Sequence, residues 1–304
     1  MQSSVGHMDT FALIAVLLIF ATLLLGWNKR FSYVQMLIFG NLLIFFVLII
    51  SDLYGGEAML SELGLRPEYL ASGERPYTLL THMFMHSSFA HIIGNVLFLF
   101  LIGVQLEYRV GKWRTFVLYF ASGLMAAVTQ SFILGLDSTT LMVGASGAIA
   151  GLVGALLMLY PRDRIPMLLG PIFLPNVPVI LAAGVFLATQ LVLDIAFIGS
   201  GQSGGVAYAA HLGGFVTGLL LAAVLPKPAT RVARVIDVAS LEELATTDAL
   251  REELARIKAE TEPTVRDAWL EHFVKKVRCP KCGSSLELKG SKVVCRCGYE
   301  VKLR

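Results

Sequence analysis

A lone hydroxyl, Ser146, stands in the run GASGAIAG, residues 144–151, among glycines and alanines. Further along, AHLGGFVTG, residues 210–218, carries a lone imidazole, His211. A serine hydroxyl is a weak nucleophile until a base takes its proton, and imidazole suits that task near neutral pH. A third set lies in HMFMHSSFAHIIGN, residues 82–95, which holds His82, His86, His91 and Asn95. His91 and Asn95 are four residues apart and so share one helix face. Aimed at one point, their N–H groups could hold the oxyanion of a tetrahedral intermediate, together with the backbone N–H of Ser146. Gly147 lets a substrate backbone come close. No aspartate stands ready to orient His211, so the simplest chemistry is a Ser–His dyad. Two other hydrolase patterns fail: Ala148 occupies the position where G-x-S-x-G needs glycine, and H-E-x-x-H is absent.

Each residue alone admits a plainer reading. A serine in a small-residue helix is usually a packing residue, and a histidine within a span is often structural. His82 and His86 have the spacing of a metal pair. The elements that must carry these residues change the balance. The chain is 56% hydrophobic and 15% charged, with a mean hydropathy of +0.70. A soluble protein carries about 25% charged residues, so this is an all-α, polytopic membrane protein. Seven apolar stretches, near 10–27, 34–51, 87–105, 115–134, 145–160, 177–198 and 206–225, approach the length needed to cross about 30 Å of hydrocarbon. Residues 1–9 lack Lys and Arg and no A-x-A-like site follows, so the first stretch reads as a retained helix and not a cleaved signal.

Basic residues set the orientation. Lys29, Arg30, Arg109, Lys112, Arg114, Arg162, Arg164 and Lys227 fall in alternate loops, while Arg66 and Arg75 are outnumbered by acidic residues in the long loop 52–86. The N-terminus is expected outside and the C-terminus in the cytoplasm of a cell-membrane protein. The third, fifth and seventh helices then all run inward from the outer face. At 1.5 Å per residue, His91, Asn95, Ser146 and His211 fall within about 10 Å of one membrane boundary. Polar groups in spans are costly, and three helices placing them at one level is a strong signal. Ala150 and Gly154 stand behind Ser146, and Gly214 and Gly218 behind His211. Small faces let helices approach closely in lipid, which would bring imidazole to hydroxyl.

These three motifs, in this order and spacing, resemble the rhomboid intramembrane serine proteases over about residues 34–226. The resemblance implies a six-helix core. It assigns Ser146 of the GASG box as nucleophile and His211 as general base. His91 and Asn95 become oxyanion residues, with His86 and Gly144 in support. It further implies single-span membrane protein substrates cleaved near the outer face, with no cofactor for catalysis. By the same analogy the sixth helix is a lateral gate, and GSGQSGG, residues 199–205, is expected to cap the site. Two features depart from the family pattern. RPY, residues 75–77, replaces the family's frequent Trp-Arg pair, and residues 1–33 add an extra N-terminal transmembrane helix.

Past Pro228 the composition changes. Residues 227–270 read as a linker with a charged helix, a solvated spacer started by a capping box at Ser240 and Glu243. Leu241, Leu244, Leu254 and Ile257 fall on one face, which leaves docking as the alternative. All four cysteines lie in residues 271–304, as CPKCG at 279–283 and CRCGY at 295–299. Cys279, Cys282, Cys295 and Cys297 read as a small β-structured Cys₄ zinc ribbon, with Zn²⁺ structural. Two disulfides are the alternative, disfavoured in a cytoplasmic tail. Nine basic residues against three acidic ones in this module suit anionic lipid headgroups. Next to a bilayer these take precedence over nucleic acid, which is not expected as a partner. A purely structural ribbon and one recruiting a cytoplasmic partner both stay open. The rival to proteolysis is a non-catalytic binder or transporter built on His82, His86 and His91.

Overall fold

In an apolar medium a chain has few ways to satisfy its backbone, and the helix is the local one. The computed structural model describes residues 9–28, 30–54, 58–169, 172–200, 208–225, 238–260, 263–289 and 292–303. In it the apolar stretches are helices within a few residues of their expected bounds. The chain divides into two compact units, Met1–Pro228 and Ala229–Arg304.

The first unit opens with α1 (Thr10–Gly26), whose first turn is capped by Asp9 accepting from the Phe11 N–H at 3.0 Å. α2 (Tyr33–Leu53) packs against it, with Gly40 set over Thr22. The long loop that follows holds α3 (Ala58–Leu63), α4 (Pro67–Ser72) and α5 (Thr78–Thr81), then a 3₁₀ turn at His82–Phe84. The next span is continuous: α6 (Phe89–Phe98), a π-helical segment at Leu99–Gly103, and α7 (Val104–Val110). Gly111 breaks the chain into α8 (Lys112–Leu134). Then come α9 (Ser146–Leu159), a hairpin of β1 (Arg164–Leu169) and β2 (Ile172–Pro178), α10 (Val179–Ser200) and α11 (Tyr208–Val224). By length and composition α2, α6–α7 and α8 can each cross a membrane; α1, α9, α11 and the Val179–Thr189 part of α10 are shorter apolar helices. Exposed Leu17, Phe46, Phe100 and Leu220 make the outer surface apolar as well as the core, as lipid-facing helices require. The glycine-rich segment expected to cap the site lies, from residue 201 onward, outside the described residues.

Two side chains tie the N-terminal helices to this core. Lys112 was counted among the loop charges that set orientation. Its ammonium also donates to the carbonyls of Gly26, Asn28 and Phe31 just where α1 ends and its last C=O groups lack partners. Glu107, only 8% exposed, accepts from Ser32 Oγ at 2.5 Å and from the backbone N–H groups of Tyr33 and Val34 at 2.8 Å each. It thereby caps the positive end of α2. Glu107→Ala strands two buried donors. Bonds to a charged group are each worth about 1.5–3 kcal/mol, so a loss of about 3 kcal/mol is expected. That should lower Tm by about 6–12 °C in a thermal-shift measurement on detergent-purified protein, and an unchanged Tm would contradict the capping role.

In the second unit the presumed spacer is packed, which corrects the expectation of a solvated linker. A 3₁₀ segment (Val238–Leu244), α12 (Asp248–Ala259) and α13 (Pro263–Lys276) share one core with strands β3 (Glu287–Lys289), β4 (Lys292–Val294) and β5 (Glu300–Lys302). Leu241, Leu244, Leu254, Ile257, Phe273, Leu286 and Val293 are all buried there. A module this small lacks an adequate core by itself, and the helices supply the missing apolar surface. Ser240 does not open an α-helix; α12 starts behind Thr247, whose hydroxyl accepts from the Leu250 N–H.

Candidate active site

The stretch before α9 is stitched to the long loop. Leu65 and Met142 exchange backbone bonds of 3.0 and 2.7 Å, and the Gly144 N–H donates to the His82 carbonyl at 2.9 Å. Gly144 has φ 119°, a conformation that side-chain-bearing residues avoid. A Cβ built on it would stand 2.6 Å from His91 Nε2 and 3.8 Å from Ser146 Oγ. One glycine thus separates the imidazole from the hydroxyl, and no larger residue fits the gap.

Ser146 is the first residue of α9, half-buried, and Ala145 before it makes no side-chain cap bond. The N–H groups of that first turn therefore lack helical partners and carry the helix's partial positive charge. His91 sits near the start of α6, which is capped by Ser88 Oγ accepting from the His91 N–H at 3.2 Å. Its ring meets His86 edge-on at 5.0 Å, and Ser87 Oγ lies 3.4 Å from its Nδ1. His86 is buried. Asn95, one turn deeper, donates from its amide to the His91 carbonyl at 2.8 Å, which leaves one of its two N–H groups for another acceptor. His82 Nδ1 is 2.8 Å from the Thr78 carbonyl, committed to the local turn.

His211 is buried in the first turn of α11, flanked by the rings of Tyr208 at 6.1 Å and of Phe186, from α10, at 6.4 Å. Just before it, the Ala210 N–H donates to Gln130 Oε1 of α8 at 3.0 Å. These three neighbours escaped the reading of the sequence. Gln130 left a usable signal, being a polar group within a span. The aromatic residues left none, because rings are ordinary in such helices.

α9 and α11 meet backbone to backbone. A Cβ on Gly214 would fall 2.0 Å from the Gly147 carbonyl oxygen, one on Gly218 1.9 Å from that of Gly151, and one on Gly154 2.1 Å from that of Phe215. The seam on α9 is thus Gly147, Gly151 and Gly154, a face turned slightly from the expected one through Ala150. On α11 it is Gly214 and Gly218, as expected. Ser146 and His211 each stand within a turn of this seam, at the same end of the two helices.

Among the described residues, one cluster has metal-ligand composition: Cys279, Cys282, Cys295 and Cys297, with sulfurs all within 4.8 Å of one another. Cys279 and Cys297 Sγ are 3.6 Å apart, and Cys282 and Cys295 Sγ 3.4 Å. Four thiolates about 2.3 Å from a tetrahedral Zn²⁺ would be separated by a little under 4 Å, so the donor set fits zinc. Each knuckle closes in a tight turn, with Gly283 N–H on the Cys279 carbonyl and Gly298 N–H on that of Cys295.

Comparison with known proteins agrees with the motifs. RHOMBOID-like protein 4 of Arabidopsis thaliana is 31% identical over 162 residues, covering 53% of this chain and 37% of that protein. Rhomboid protease GluP of Bacillus subtilis is 27% identical over 201 residues, 66% of this chain and 36% of that protein. Rhomboid protease AarA of Providencia stuartii is 33% identical over 153 residues, 46% of this chain and 52% of that protein. The chain therefore spans roughly a third to a half of these relatives. A family model for the Rhomboid domain matches residues 73–228, which include the GASG box, the His91–Asn95 pair and His211. With half of its length under that match and these motifs on it, the chain belongs to the rhomboid family of multi-pass membrane proteins.

Proposed function

We infer that the chain is an intramembrane serine endopeptidase that cleaves single-span membrane proteins near the face where α9 begins. The observation that carries this reading is Gly144, wedged between His91 Nε2 and Ser146 Oγ at the mouth of a helix sealed against the one bearing His211. In this mechanism Ser146 Oγ attacks the scissile carbonyl carbon as His211 takes its proton. The carbonyl oxygen becomes an oxyanion held by the Ser146 N–H, by His91 Nε2–H and by the free N–H of Asn95. When the Ser87 hydroxyl donates to His91 Nδ1, the ring proton sits on Nε2, the nitrogen that faces the site. His211 then protonates the departing amine and the acyl-enzyme forms. Water, deprotonated by His211, attacks that ester, and the protonated His211 returns the proton to the departing Ser146 Oγ.

The excess of basic residues in alternate loops puts the α9 mouth outside and the C-terminus in the cytoplasm. No metal takes part in this chemistry. The four cysteines would hold a structural Zn²⁺ in the second unit, and the basic ribbon would meet anionic lipid or a cytoplasmic partner. A histidine-based transporter draws less support: His82 is bonded to its own turn, and the described residues hold no ligand cluster in the first unit.

The test is labelling with a fluorophosphonate probe, run beside cleavage of a single-span substrate in liposomes. Wild type should label and cleave, while Ser146→Ala and His211→Ala should do neither. A wild type that neither labels nor cleaves, or a Ser146→Ala variant that still cleaves, would overturn the reading.

A further inference from the structure

The hairpin β1–β2 was not expected, since residues 161–176 read as a loop between two spans. Its base sits at the end of a span. Asp163 pairs with Arg109 at 3.4 Å, one residue before the end of α7, and Arg109 lies over the Tyr160 ring. From that base β1 does not run away from the helices but packs beside the π-helical segment Leu99–Gly103. At 1.5 Å per residue that segment starts about 10 Å inside the Val110 end of the span. Ile165 and Val177 are buried in the hydrophobic core of the first unit, with Met167, Leu168 and Leu174 packed against it.

The strands beyond the base suit lipid and not water. From Ile165 to Leu193 the chain holds no charged residue. Successive strand residues point to opposite faces, yet Ile172 and Phe173 are both 57% exposed, so β2 begins uncovered on both sides. A two-stranded ribbon in hydrocarbon has a known weakness, because its outer N–H and C=O groups find no water, each costs several kcal/mol, and such backbone is tolerated only where protein or water covers it, as the π-helical segment does beside β1. Here Pro166, Pro175 and Pro178 remove donors from both strands, the first two where the register shifts and ladder bonds lapse. Exposed Arg162 and Arg164 flank the base, at the level where anionic headgroups would lie.

We propose that β1–β2 is a re-entrant hairpin embedded in the leaflet opposite the Ser146 mouth, its partner the lipid acyl chains and its base held by headgroup phosphates. Such a hairpin occupies the leaflet that α9 leaves short, for 14 residues reach only about 21 Å of about 30 Å of hydrocarbon. β2 continues without a break into α10, so the hairpin also fixes where α10 enters the membrane.

A single-tryptophan reporter tests this in the full chain, with Trp27, Trp113 and Trp269 changed to Phe. Phe173→Trp is reconstituted in phosphatidylcholine–phosphatidylglycerol vesicles with or without bromine on the acyl chains, and Ile172→Trp serves as a second reporter. Both should emit to the blue, be quenched severalfold more by brominated lipid than by aqueous iodide, and lose iodide quenching altogether at depth. Emission to the red, quenched by iodide and indifferent to bromine, would overturn the proposal. Phe46→Trp, exposed mid-span on α2, separates the two levels of failure. If it too ignores brominated lipid, the membrane placement of the whole unit fails and the hairpin's with it.

Discussion

Gly144→Ala is expected to slow both substrate cleavage and fluorophosphonate labelling by about 10²–10³-fold, the usual cost of losing one oxyanion donor. The added methyl would stand 2.6 Å from His91 Nε2, closer than any relaxed contact. Relief can come by two routes. Either the His91 ring swings away, or residue 144 leaves φ 119° and gives up its bond to the His82 carbonyl. Holding a side-chain-bearing residue in such a conformation costs about 1–3 kcal/mol, so the second route is favoured by the backbone itself. Both routes separate the donor from the hydroxyl. The loss should appear in kcat with KM little changed, because the oxyanion exists only after binding. Gly94→Ala, on the same helix as His91, is the control: among the described residues nothing lies within 4 Å of the added methyl, and wild-type rates are expected. A Gly144→Ala enzyme with wild-type kcat would remove His91 from the oxyanion site.

Stripping metal from the second unit is expected to have the other large effect. Structural zinc in small modules contributes about 10–16 kcal/mol, more than a unit built on three-residue strands can replace. Under a strong chelator, or in Cys279→Ser, the peptides covering residues 277–303 should lose amide-exchange protection together. Leu286, Val293 and Leu303 would then open to water. Elemental analysis of the untreated protein should find about one zinc per chain, as one tetrahedral Cys₄ site requires. Fluorophosphonate labelling of Ser146 should be unchanged by the same treatment. Exchange protection that survives chelation would mean the sulfurs are held by something else, and lost labelling would tie the ribbon to catalysis.

The sequence made some of this plain and hid the rest, for physical reasons. Unbroken apolar runs near the span length left α2, α6–α7 and α8 little freedom, so their bounds were readable. Polar groups stand out against such a background, which is why Ser146, His91 and His211 could be singled out before their surroundings were known. The contact face of α9 was harder. With Gly147, Ala150, Gly151 and Gly154 in eight residues, several faces are smooth, and composition cannot rank them. The hairpin was hidden because IPMLLGPIFLPNVP has the composition of a span and the prolines of a loop at once. In the tail the charged faces of α12 and α13 are what the sequence advertises, whereas their buried residues recur too sparsely to announce a shared core. Gln130 and Glu107 act through the backbone N–H groups of distant helices, a pairing that no local pattern encodes.

The glycine seam has a mechanical consequence. Where side chains interdigitate, rotamers can absorb a small shift between two helices. At Gly147–Gly214 and Gly151–Gly218 there are no rotamers to change, and no side-chain entropy was lost in forming the contact. The two helices behave there like machined surfaces without a gasket. Any tilt or slide of α11 passes undiminished to the distance between His211 and Ser146. Bilayer thickness and lateral pressure, which act on tilt, would thereby reach the spacing of these two side chains directly.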